Sequence, residues 1–534
     1  MPMTRRSLLA GMARLGGAGA VYETLAIWDF LKPPPALAAS FELPKDSGKG
    51  KTVAVLGAGV SGLCAAYELD RAGYDVVILE AARRAGGRSL TLRRGDVLKE
   101  MGDAPAQVCD FDDGLYLNAG PGRIPHHHVH LIDYCRQFGV ALQPYVFASR
   151  ANLVHSSTMG NGKTVQMRRV LYDLQGHVAE LLDKCTRKPE LDMPVSTDDL
   201  KTLRDMLANF GDLTKVDNGN APSVYRNKGG RAGFDVPPGL ANEPGRPLSP
   251  IALDEILKSR LWNDYIFRDN YYEWQTSLME PVGGMDNVFK GFLRQSLTRQ
   301  TGGIEGLIRY GAPVSSIDVA EDKVTVAYRD GAVERTLSAD YCISTIPVPI
   351  FRTLKSNLPD SYKAAASKLP IQAAGKVGWQ AERFWESEDQ IYGGISWTTD
   401  DITQIWYPSF GYLSRKGTLT GAYMYGGTAE RFNALPVAER LAKAKEQGER
   451  LHPDYAKYVE KGVAIGWNNM EFERFGWADE GHDDFRPNAE TLATPQGRFL
   501  MAGDQLTYLS GWQEGALLAA QAAVAHIDRR VRGG

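Results

Sequence analysis

The sequence lacks excess charge of one sign and lacks long apolar runs beyond its N-terminal region. Its 534 residues carry a formal net charge of -3. A balanced charge gives no bulk electrostatic attraction to nucleic acid or to an anionic membrane surface. No segment after the N-terminal region is apolar over the length that a bilayer span requires. We therefore expect neither a nucleic-acid partner nor an integral membrane span.

Cysteine is too scarce to build a disulfide framework. The five cysteines are an odd number, and no two of them have CxxC spacing. We interpret them as core thiols with at most one chance disulfide, which is typical of folding in a reducing compartment. They are Cys64, Cys109, Cys135, Cys185 and Cys342.

The first 39 residues contain the pattern of an export signal. Thr4–Leu9 (TRRSLL) resembles a twin-arginine motif, a stretch of apolar and small residues follows, and Ala36–Ala38 offers a signal-peptidase site. We therefore expect a periplasmic or secreted protein with residues 1–39 as its signal. The alternative is an N-terminal arm that stays attached, because Glu23 and Asp29 interrupt the apolar stretch.

The first regular elements are a strand, a helix and a second strand. Thr52–Leu56 (TVAVL) and Asp75–Glu80 (DVVILE) are β-branched and apolar runs that predict buried strands. Residues 60–72 between them carry apolar side chains at helical spacing. This order begins a doubly wound parallel sheet with a right-handed crossover. We therefore predict an α/β fold class, and the length suggests about two to four domains.

A glycine motif joins the first strand to the helix. Gly57-Ala58-Gly59-Val60-Ser61-Gly62 has GxGxxG spacing. The first glycine permits a tight turn, Gly59 lets the backbone approach a pyrophosphate, and Gly62 lets the helix pack closely on the strand. Glu80 ends the second strand, where its carboxylate can accept hydrogen bonds from ribose hydroxyls. The pattern predicts dinucleotide binding, with a tight turn without a ligand as the alternative.

A basic segment with two glycines follows Glu80 directly. Its sequence is Ala82-Arg83-Arg84-Ala85-Gly86-Gly87-Arg88. Clustered arginines and paired glycines suit a second turn facing a phosphate, which favours FAD over NAD. Arg83 and Arg88 are the candidate contacts, and a basic surface loop is the alternative.

The middle of the chain changes from helical to strand patterns. Residues 170–278 are predicted to be mostly helical, with an exposed polar loop over 218–250 that is rich in Gly, Pro and Asn. Strands are predicted near 312–319 and 324–329, with Arg329-Asp330-Gly331 as a hairpin turn. A helix is predicted over 513–530.

Four segments form one combined pattern along the chain. They are Gly57–Arg88, Gly283–Asp286 (GGMD), Phe499–Asp504 (FLMAGD) and Leu509–Ala516 (LSGWQEGA). Together they resemble the flavin-containing amine oxidase superfamily, closest to bacterial twin-arginine-exported L-amino acid oxidases. The resemblance implies a Rossmann-like FAD-binding domain built from discontinuous segments, a mixed-sheet substrate domain and a helical insertion. Asp504 departs from many relatives, which carry Glu there.

The resemblance also divides the chain into domains. The expected ranges are 50–110, 283–350 and 490–534 for the FAD-binding domain, 111–150 and 351–489 for the substrate-binding domain, and 151–282 for the helical domain.

The cofactor that the resemblance implies is FAD, bound non-covalently. A cysteinyl-flavin bond in the C-terminal segment is excluded because no cysteine follows Cys342. The candidate cofactor-binding residues are Gly57, Gly59, Ser61, Gly62, Glu80, Ala81, Arg83, Gly87, Arg88, Gly120, Arg123, Val314, Gly503, Asp504, Gly511 and Trp512.

Two residues are candidates for a catalytic role. Lys376 lies in an apolar predicted strand before Phe384-Trp385, where a lysine is costly unless it is partnered or functional. The resemblance implies that Lys376 holds a water against flavin N5 and helps oxygen to reoxidise the flavin. Trp512 would form an aromatic wall beside the flavin, with a core tryptophan as the alternative. The helix that starts near Trp512 would direct its positive N-terminus at the reduced flavin.

A second set of residues suggests an amino-acid substrate. Gly120–Pro125 (GPGRIP) resembles the L-amino acid oxidase segment whose arginine binds the substrate carboxylate. The planar guanidinium of Arg123 matches a carboxylate bidentately. The resemblance adds Tyr423 as a second carboxylate contact, the carbonyl of Gly511 as an acceptor for the amine, and Trp512 as a wall. Surface or packing roles for Arg123 and Tyr423 are the alternatives.

These residues predict oxidative deamination of an L-amino acid. Hydride transfer from Cα to flavin N5 gives an imino acid that hydrolyses to a 2-oxo acid and ammonia, and oxygen then gives hydrogen peroxide. The alternatives are an amino-acid 2-monooxygenase that forms an amide, a primary amine or polyamine oxidase, and a flavin-binding protein without catalysis.

Histidines and aromatic residues near these segments leave two questions open. His126–His128 and His130 open a predicted helix, and we expect no metal there because no acidic or cysteine partner lies close in sequence. Aromatic residues in Tyr271–Gln275 (YYEWQ) would suit a large apolar substrate, whereas Glu273 would suit a basic one. We expect a homodimer or a higher homo-oligomer.

Overall fold

The structure is a computed structural model that describes residues 41–187, 196–217, 221–263 and 265–533. The expected signal over residues 1–39 therefore lies outside the described residues, as does the start of the predicted loop at 218–220.

The strands of the described residues are numbered here in chain order. They are β1 (Thr52–Leu56), β2 (Asp75–Glu80), β3 (Thr91–Leu92), β4 (Val97–Leu98), β5 (Gln107–Val108), β6 (Leu117–Asn118), β7 (Leu142–Val146), β8 (Leu153–His155), β9 (Val165–Gln166), β10 (Leu213–Val216), β11 (Ala221–Tyr225), β12 (Phe234–Val236), β13 (Arg246–Pro247), β14 (Ser277–Pro281), β15 (Ile308–Tyr310), β16 (Val314–Val319), β17 (Val324–Asp330), β18 (Val333–Ala339), β19 (Tyr341–Ser344), β20 (Lys355–Ser356), β21 (Ile371–Gln372), β22 (Ala374–Glu382), β23 (Gly394–Thr398), β24 (Gln404–Tyr407), β25 (Lys416–Tyr425), β26 (Val459–Gly466), β27 (Trp477–Ala478) and β28 (Phe499–Met501).

The α-helices are numbered in the same way. They are α1 (Val60–Arg71), α2 (Val129–Gln137), α3 (Met167–Cys185), α4 (Thr197–Phe210), α5 (Leu253–Ser259), α6 (Asn287–Leu293), α7 (Val348–Phe351), α8 (Asp360–Lys368), α9 (Phe384–Ser387), α10 (Gly426–Asn433), α11 (Val437–Leu451), α12 (Tyr455–Tyr458), α13 (Phe485–Ala493) and α14 (Gln513–Val531).

The glycine motif follows the carboxyl end of β1, which belongs to a five-stranded parallel sheet with the order β15-β2-β1-β19-β28. β1 pairs in parallel with both β2 and β19, so it is a central strand. Its Val53–Leu56 are fully buried, as a continuous apolar run in a parallel sheet should be. The carboxyl ends of β1 and β2 bring Gly57 and Glu80 to the same edge of the sheet. The predicted strand, helix, strand order is confirmed.

The turn after β1 requires two of its glycines. Gly57 has a φ of +104°, a backbone conformation that side chains with a Cβ rarely adopt. A Cβ on Gly62 would lie 2.0 Å from the carbonyl oxygen of Gly57 and 3.3 Å from Cγ1 of Val55. The predicted close packing of α1 on β1 is therefore confirmed.

The C-terminal helix α14 packs against α1. Leu63 and Ala66 of α1 belong to the same buried cluster as Leu517, Ala520 and Val524 of α14. The spacing of the three α14 residues places them on one face of that helix. This packing fixes where α14 begins relative to the glycine motif.

A seven-stranded mixed sheet with the order β26-β22-β25-β24-β23-β8-β9 carries the second half of the candidate site. β22 pairs antiparallel with β25, and Lys376 lies directly opposite Tyr423. Directly opposite residues of an antiparallel pair project from the same face of the sheet. The register therefore brings these two predicted site residues together.

Residues 170–278 are less helical than the sequence predicts. α3 and α4 cover much of the region, but β10 and β11 form one antiparallel pair, and β12 and β13 form another. Gly, Pro and Asn, which suggest a loop over 218–250, also serve at the turns between short strands. By contrast, the hairpin turn predicted at Arg329–Gly331 is confirmed, because β17 ends at Asp330 and β18 begins at Val333.

Two further features concern the described residues only. None of their helices has the length and apolarity of a bilayer span. The five cysteines are all free thiols, of which Cys185 alone is exposed.

Candidate functional site

A cavity of ≈ 370 Å³ lies where the parallel sheet, the seven-stranded sheet and the start of α14 meet. Both Lys376 and Tyr423 line it. It is also lined by most of the residues that the sequence assigns to FAD. These are Gly57, Gly59, Ser61, Glu80, Ala81, Gly87, Arg88, Gly120, Val314, Gly503, Asp504, Gly511 and Trp512.

The start of α1 offers the cavity a site for an anion. Gly59 is the N-cap of α1, and a Cβ built on it would have no atom within 4 Å. Ser61 in the first turn is buried, and its hydroxyl has no hydrogen-bond partner among the described residues. A helix N-terminus with free N–H groups and an unpaired hydroxyl fits a pyrophosphate.

Glu80 anchors the turn beside this anion site. Its carboxylate accepts hydrogen bonds from the backbone N–H of Ala58 at 2.6 Å and of Ala82 at 2.8 Å. Burial raises the pKa of Glu80, and the two N–H groups oppose that rise. A carboxylate has about four acceptor positions, so those left over can receive ribose hydroxyls.

Two adjacent arginines differ from the sequence prediction. Arg83 is exposed and does not line the cavity, so its predicted contact with FAD has no support in this placement. Arg84 turns inward instead, donates to the carbonyl of Gly87 at 2.7 Å and lies 3.1 Å from a carboxylate oxygen of Glu473. The sequence could not select between neighbouring arginines, because Glu473 is 389 residues away from Arg84.

Arg88 and Asp504 form an ion pair at the cavity wall. Arg88 also donates to the carbonyl of Gly476 at 2.7 Å, and Asp504 accepts the backbone N–H of Gly511 at 2.8 Å. The acid predicted to reach a ribityl hydroxyl therefore also fixes the loop before Trp512. Gly62 does not line the cavity, and its role is the packing of α1.

Lys376 is buried in the cavity wall but is not isolated. Its Nζ donates to the carbonyl oxygens of Asn118 at 2.9 Å and of Gly120 at 2.6 Å. Burial lowers the pKa of Lys376 well below its usual range, and the nearby charge of Arg123 lowers it further. The neutral amine is therefore more favoured at Lys376 than at a surface lysine.

Arg123 lies among aromatic rings next to this lysine. Its guanidinium carbon is 4.4 Å from the ring centroid of Trp406 and 4.6 Å from that of Trp274. Burial is the main reason that the pKa of Arg123 is lowered. The side chain is partly buried, no carboxylate among the described residues forms an ion pair with it, and its Nε has no hydrogen-bond partner. A charge that is partly removed from water without a counter-ion is costly, and it suits a site that receives an anion.

The ring of Trp406 contacts both Arg123 and Lys376. Nothing in the sequence indicates that Trp406 belongs to the site. Its ring centroid is 4.5 Å from Nζ of Lys376, and it contacts the ring of Tyr423 edge-on at 4.8 Å. Arg123 does not itself line the cavity, but it contacts the same Trp406 ring as Tyr423, which does. Burial raises the pKa of Tyr423 to about 12, so its hydroxyl keeps its proton at neutral pH.

Trp512 is the N-cap of α14 and forms an aromatic wall of the cavity. Its ring contacts those of Trp274 at 5.5 Å and His128 at 5.0 Å. Gly511 before it has a φ of +78°, and a Cβ there would lie 3.1 Å from Cβ of Trp477. Trp477 also lines the cavity and was missed at the sequence level, because nothing in its local sequence distinguishes it from a core tryptophan.

The histidine segment opens a helix, as predicted. His126 and His127 lie in the turn before α2, His128 is the N-cap, and His130 lies in the first turn. Burial lowers the pKa of His128 to about 3, which keeps this ring neutral. His130 contacts Glu514, a carboxylate 384 residues away that sequence proximity could not reveal. Within the described part of the chain, no group of three or more His, Cys, Asp or Glu could hold a metal ion.

Comparisons with known proteins identify a family. The family model described as flavin containing amine oxidoreductase matches residues 60–528. A flavin-dependent L-tryptophan oxidase from Lentzea aerocolonigenes is 29% identical over 90% of this chain and 98% of its own length. An L-amino-acid oxidase from Protobothrops flavoviridis is 25% identical over 91% of this chain and 90% of its own length.

Solved structures share the fold at lower identity. A cyclohexylamine oxidase from Brevibacterium oxydans matches with a TM-score of 0.58 at 18% identity, covering 90% of this chain and 99% of that one. A putrescine oxidase bound to putrescine matches with a TM-score of 0.56 at 20% identity, covering 89% of this chain and 98% of that one. The predicted mixed α/β fold class is confirmed.

Proposed function

This chain belongs to the flavin-containing amine oxidoreductase family, and we propose that it is an FAD-dependent L-amino-acid oxidase. The reaction converts an L-amino acid to a 2-oxo acid, ammonia and hydrogen peroxide. Relatives named L-tryptophan oxidase and L-amino-acid oxidase support an amino-acid substrate. The related folds of putrescine and cyclohexylamine oxidases leave carboxylate-free amines as the principal alternative.

The observation that carries the proposal is the state of Arg123. Its partly buried guanidinium lies between Trp406 and Trp274, with a buried Nε and without an ion-pair partner among the described residues. An oxidase of simple amines has no use for a partly buried positive charge next to its substrate, because the substrate is itself a cation before it loses its proton. An amino acid supplies the missing carboxylate, which a guanidinium binds in a planar, two-point arrangement.

The remaining residues have separate roles in this proposal. The Tyr423 hydroxyl donates a second hydrogen bond to the carboxylate, and the Gly511 carbonyl accepts one from the amine. The ring of Trp512 restricts the orientation of the bound substrate and excludes water from the reacting carbon. Lys376 holds a water or a proton at Nζ. It lies in the cavity wall next to Tyr423, its cross-strand neighbour.

The residues at the glycine motif fit FAD as the flavin. The open face of Gly59 and the unpaired hydroxyl of Ser61 suit a pyrophosphate, and Glu80 suits a ribose. When bound, the flavin supplies the hydride acceptor and the reaction with oxygen. Non-covalent attachment is proposed because none of the described residues that line the cavity is a cysteine.

Two properties of the whole protein are also proposed. The twin-arginine pattern at Thr4–Leu9 supports export to the periplasm or beyond. A homodimer or higher homo-oligomer is the proposed assembly. Cell fractionation and light scattering of the purified protein test these two points.

The test of the activity is a product analysis. Purified holoenzyme is given each of the twenty L-amino acids and a set of primary amines and polyamines in air. The proposal expects peroxide, ammonia and a 2-oxo acid in equal amounts from at least one L-amino acid. Amide and carbon dioxide would instead identify a 2-monooxygenase, and turnover of carboxylate-free amines alone would identify an amine oxidase.

A further inference from the structure

A buried acid, Glu514, lies in the first turn of α14, the helix whose N-terminus is expected to face the reduced flavin. Glu514 is only 2% exposed and follows Trp512 by two residues. The N-terminus of a helix carries partial positive charge, which a carboxylate in its first turn reduces. A buried carboxylate is also costly unless several donors satisfy it. Its retention here calls for partners that explain it.

Those partners all belong to the beginning of another helix, α2. Glu514 Oε2 accepts the backbone N–H of Leu131 at 2.8 Å, and Oε1 accepts the backbone N–H of His130 at 3.1 Å. His130 Nδ1 lies 2.7 Å from Oε1, and this ring nitrogen is the donor where the carboxylate oxygen accepts. The contact raises the pKa of His130. One side chain of α14 thus caps the N-terminus of α2.

A second contact joins the same two helix starts. The ring of Trp512 meets the ring of His128 edge-on at 5.0 Å. His128 is 1% exposed, and neither of its ring nitrogens has a hydrogen-bond partner among the described residues. This aromatic contact alone would allow α2 and α14 to shift relative to each other. The hydrogen bonds of Glu514 are directional and therefore fix the distance between the two helix starts.

The helix that Glu514 caps is continuous with the segment that carries Arg123. Ile124, the residue after Arg123, forms two backbone hydrogen bonds with Met279 of β14, at 2.7 and 3.1 Å. The chain then turns and enters α2 at Val129. The position of Arg123 is therefore set by β14 on one side and by the start of α2 on the other.

We infer that Glu514 is a positioning residue, which sets the distance between the carboxylate-binding Arg123 and the amine-facing Gly511–Trp512 loop by holding α2 against α14. This inference rests on the proposed function, because only an amino acid must reach both points at once. A ligand with a carboxylate alone needs only one of them. The loss of Glu514 should therefore affect two-point ligands selectively.

The test compares two variants of the full-length holoenzyme. Glu514→Gln keeps the size of the side chain but removes its charge and one of its acceptor oxygens. Asp528→Asn is the matched control, because Asp528 is a buried acid at the far end of the same helix, about 21 Å away at 1.5 Å per residue. It is 1% exposed and accepts hydrogen bonds from Tyr74 at 3.3 Å and Arg532 at 2.8 Å.

Two measurements are made on each protein. The first is the rate at which the best L-amino acid bleaches the flavin in the absence of oxygen, and the second is the Kd of benzoate from the change in the flavin spectrum. We expect Glu514→Gln to slow bleaching at least tenfold while the benzoate Kd changes less than threefold. Asp528→Asn should leave both values within about twofold of the wild type, at equal flavin content.

Other results overturn the inference. Bleaching by Glu514→Gln at the wild-type rate removes the positioning role while leaving the proposed function intact. Equal losses of amino-acid bleaching, benzoate binding and flavin content would show that Glu514 serves stability alone. A wild-type enzyme that no L-amino acid bleaches contradicts the proposed function, and the two-point role fails with it.

Discussion

Replacing Arg123 with methionine should separate activity from stability. Methionine retains much of the volume between Trp406 and Trp274 but carries no charge. Removing one partner of a buried, hydrogen-bonded charge pair costs about 3–5 kcal/mol. At about 1.4 kcal/mol per tenfold change, kcat/KM for the best L-amino acid should fall by roughly 100- to 4000-fold.

The thermal stability of the substrate-free enzyme should not fall together with its activity. Without substrate, Arg123 is a partly buried cation whose buried Nε lacks a hydrogen-bond partner among the described residues, so Arg123→Met should leave the Tm unchanged or raise it. Steady-state peroxide assays and thermal unfolding of the holoenzyme measure the two quantities.

A surface arginine provides the control for this substitution. Arg486→Met removes a cation that pairs with Glu490 at 2.8 Å on the outside of α13, and both quantities should stay at wild-type values. A primary amine without a carboxylate should lose little or nothing with Arg123→Met. If Arg123→Met oxidises the amino acid with a kcat/KM within threefold of the wild type, the carboxylate assignment is refuted.

Three further predictions concern the lysine, a buried acid and the glycine motif. Lys376→Met should slow reoxidation of the flavin by oxygen by about 10²-fold, with little change in anaerobic bleaching. Stopped-flow absorbance measures both rates, and equal slowing of flavin reduction and reoxidation would refute this role. Burial raises the pKa of Glu280 to about 8, so the folded state favours its protonated form. The wild-type Tm should therefore fall relative to that of Glu280→Gln as the pH rises from about 5 to about 9, and parallel Tm curves would contradict this. Gly59→Ala should fold normally but bind FAD more weakly, because its Cβ meets only the open cavity, whereas Gly62→Ala should lower the Tm by pushing α1 off β1. Equal Tm values for these two variants would contradict the packing argument.

The parts of the fold that the sequence predicts are those with short-range causes. β1, α1 and β2 follow from apolar runs separated by a glycine motif, and Glu80 is identified by its place at the end of β2. The hairpin turn at Arg329–Gly331 has the same local origin. In residues 221–250, by contrast, Gly, Pro and Asn suit both a loop and the connection between the paired strands β12 and β13, so composition alone could not decide.

The parts that the sequence misses depend on contacts between distant segments. Lys376 is partnered by carbonyl groups of Asn118 and Gly120, which lie 258 and 256 residues away. Trp406 joins Lys376 to Arg123 only because β24 and β22 flank β25 in one sheet. The inward turn of Arg84, rather than Arg83, is likewise set by the distant Glu473. Local spacing contains no record of such pairings.

The most direct test is an anaerobic titration of the purified yellow protein with single L-amino acids, followed by admission of oxygen. The account predicts complete bleaching of the flavin absorbance by an L-amino acid, no bleaching by the matching amine without its carboxylate, and recovery of the colour with release of 2-oxo acid, ammonia and peroxide. Bleaching by the amine alone, or release of an amide with carbon dioxide, would contradict it.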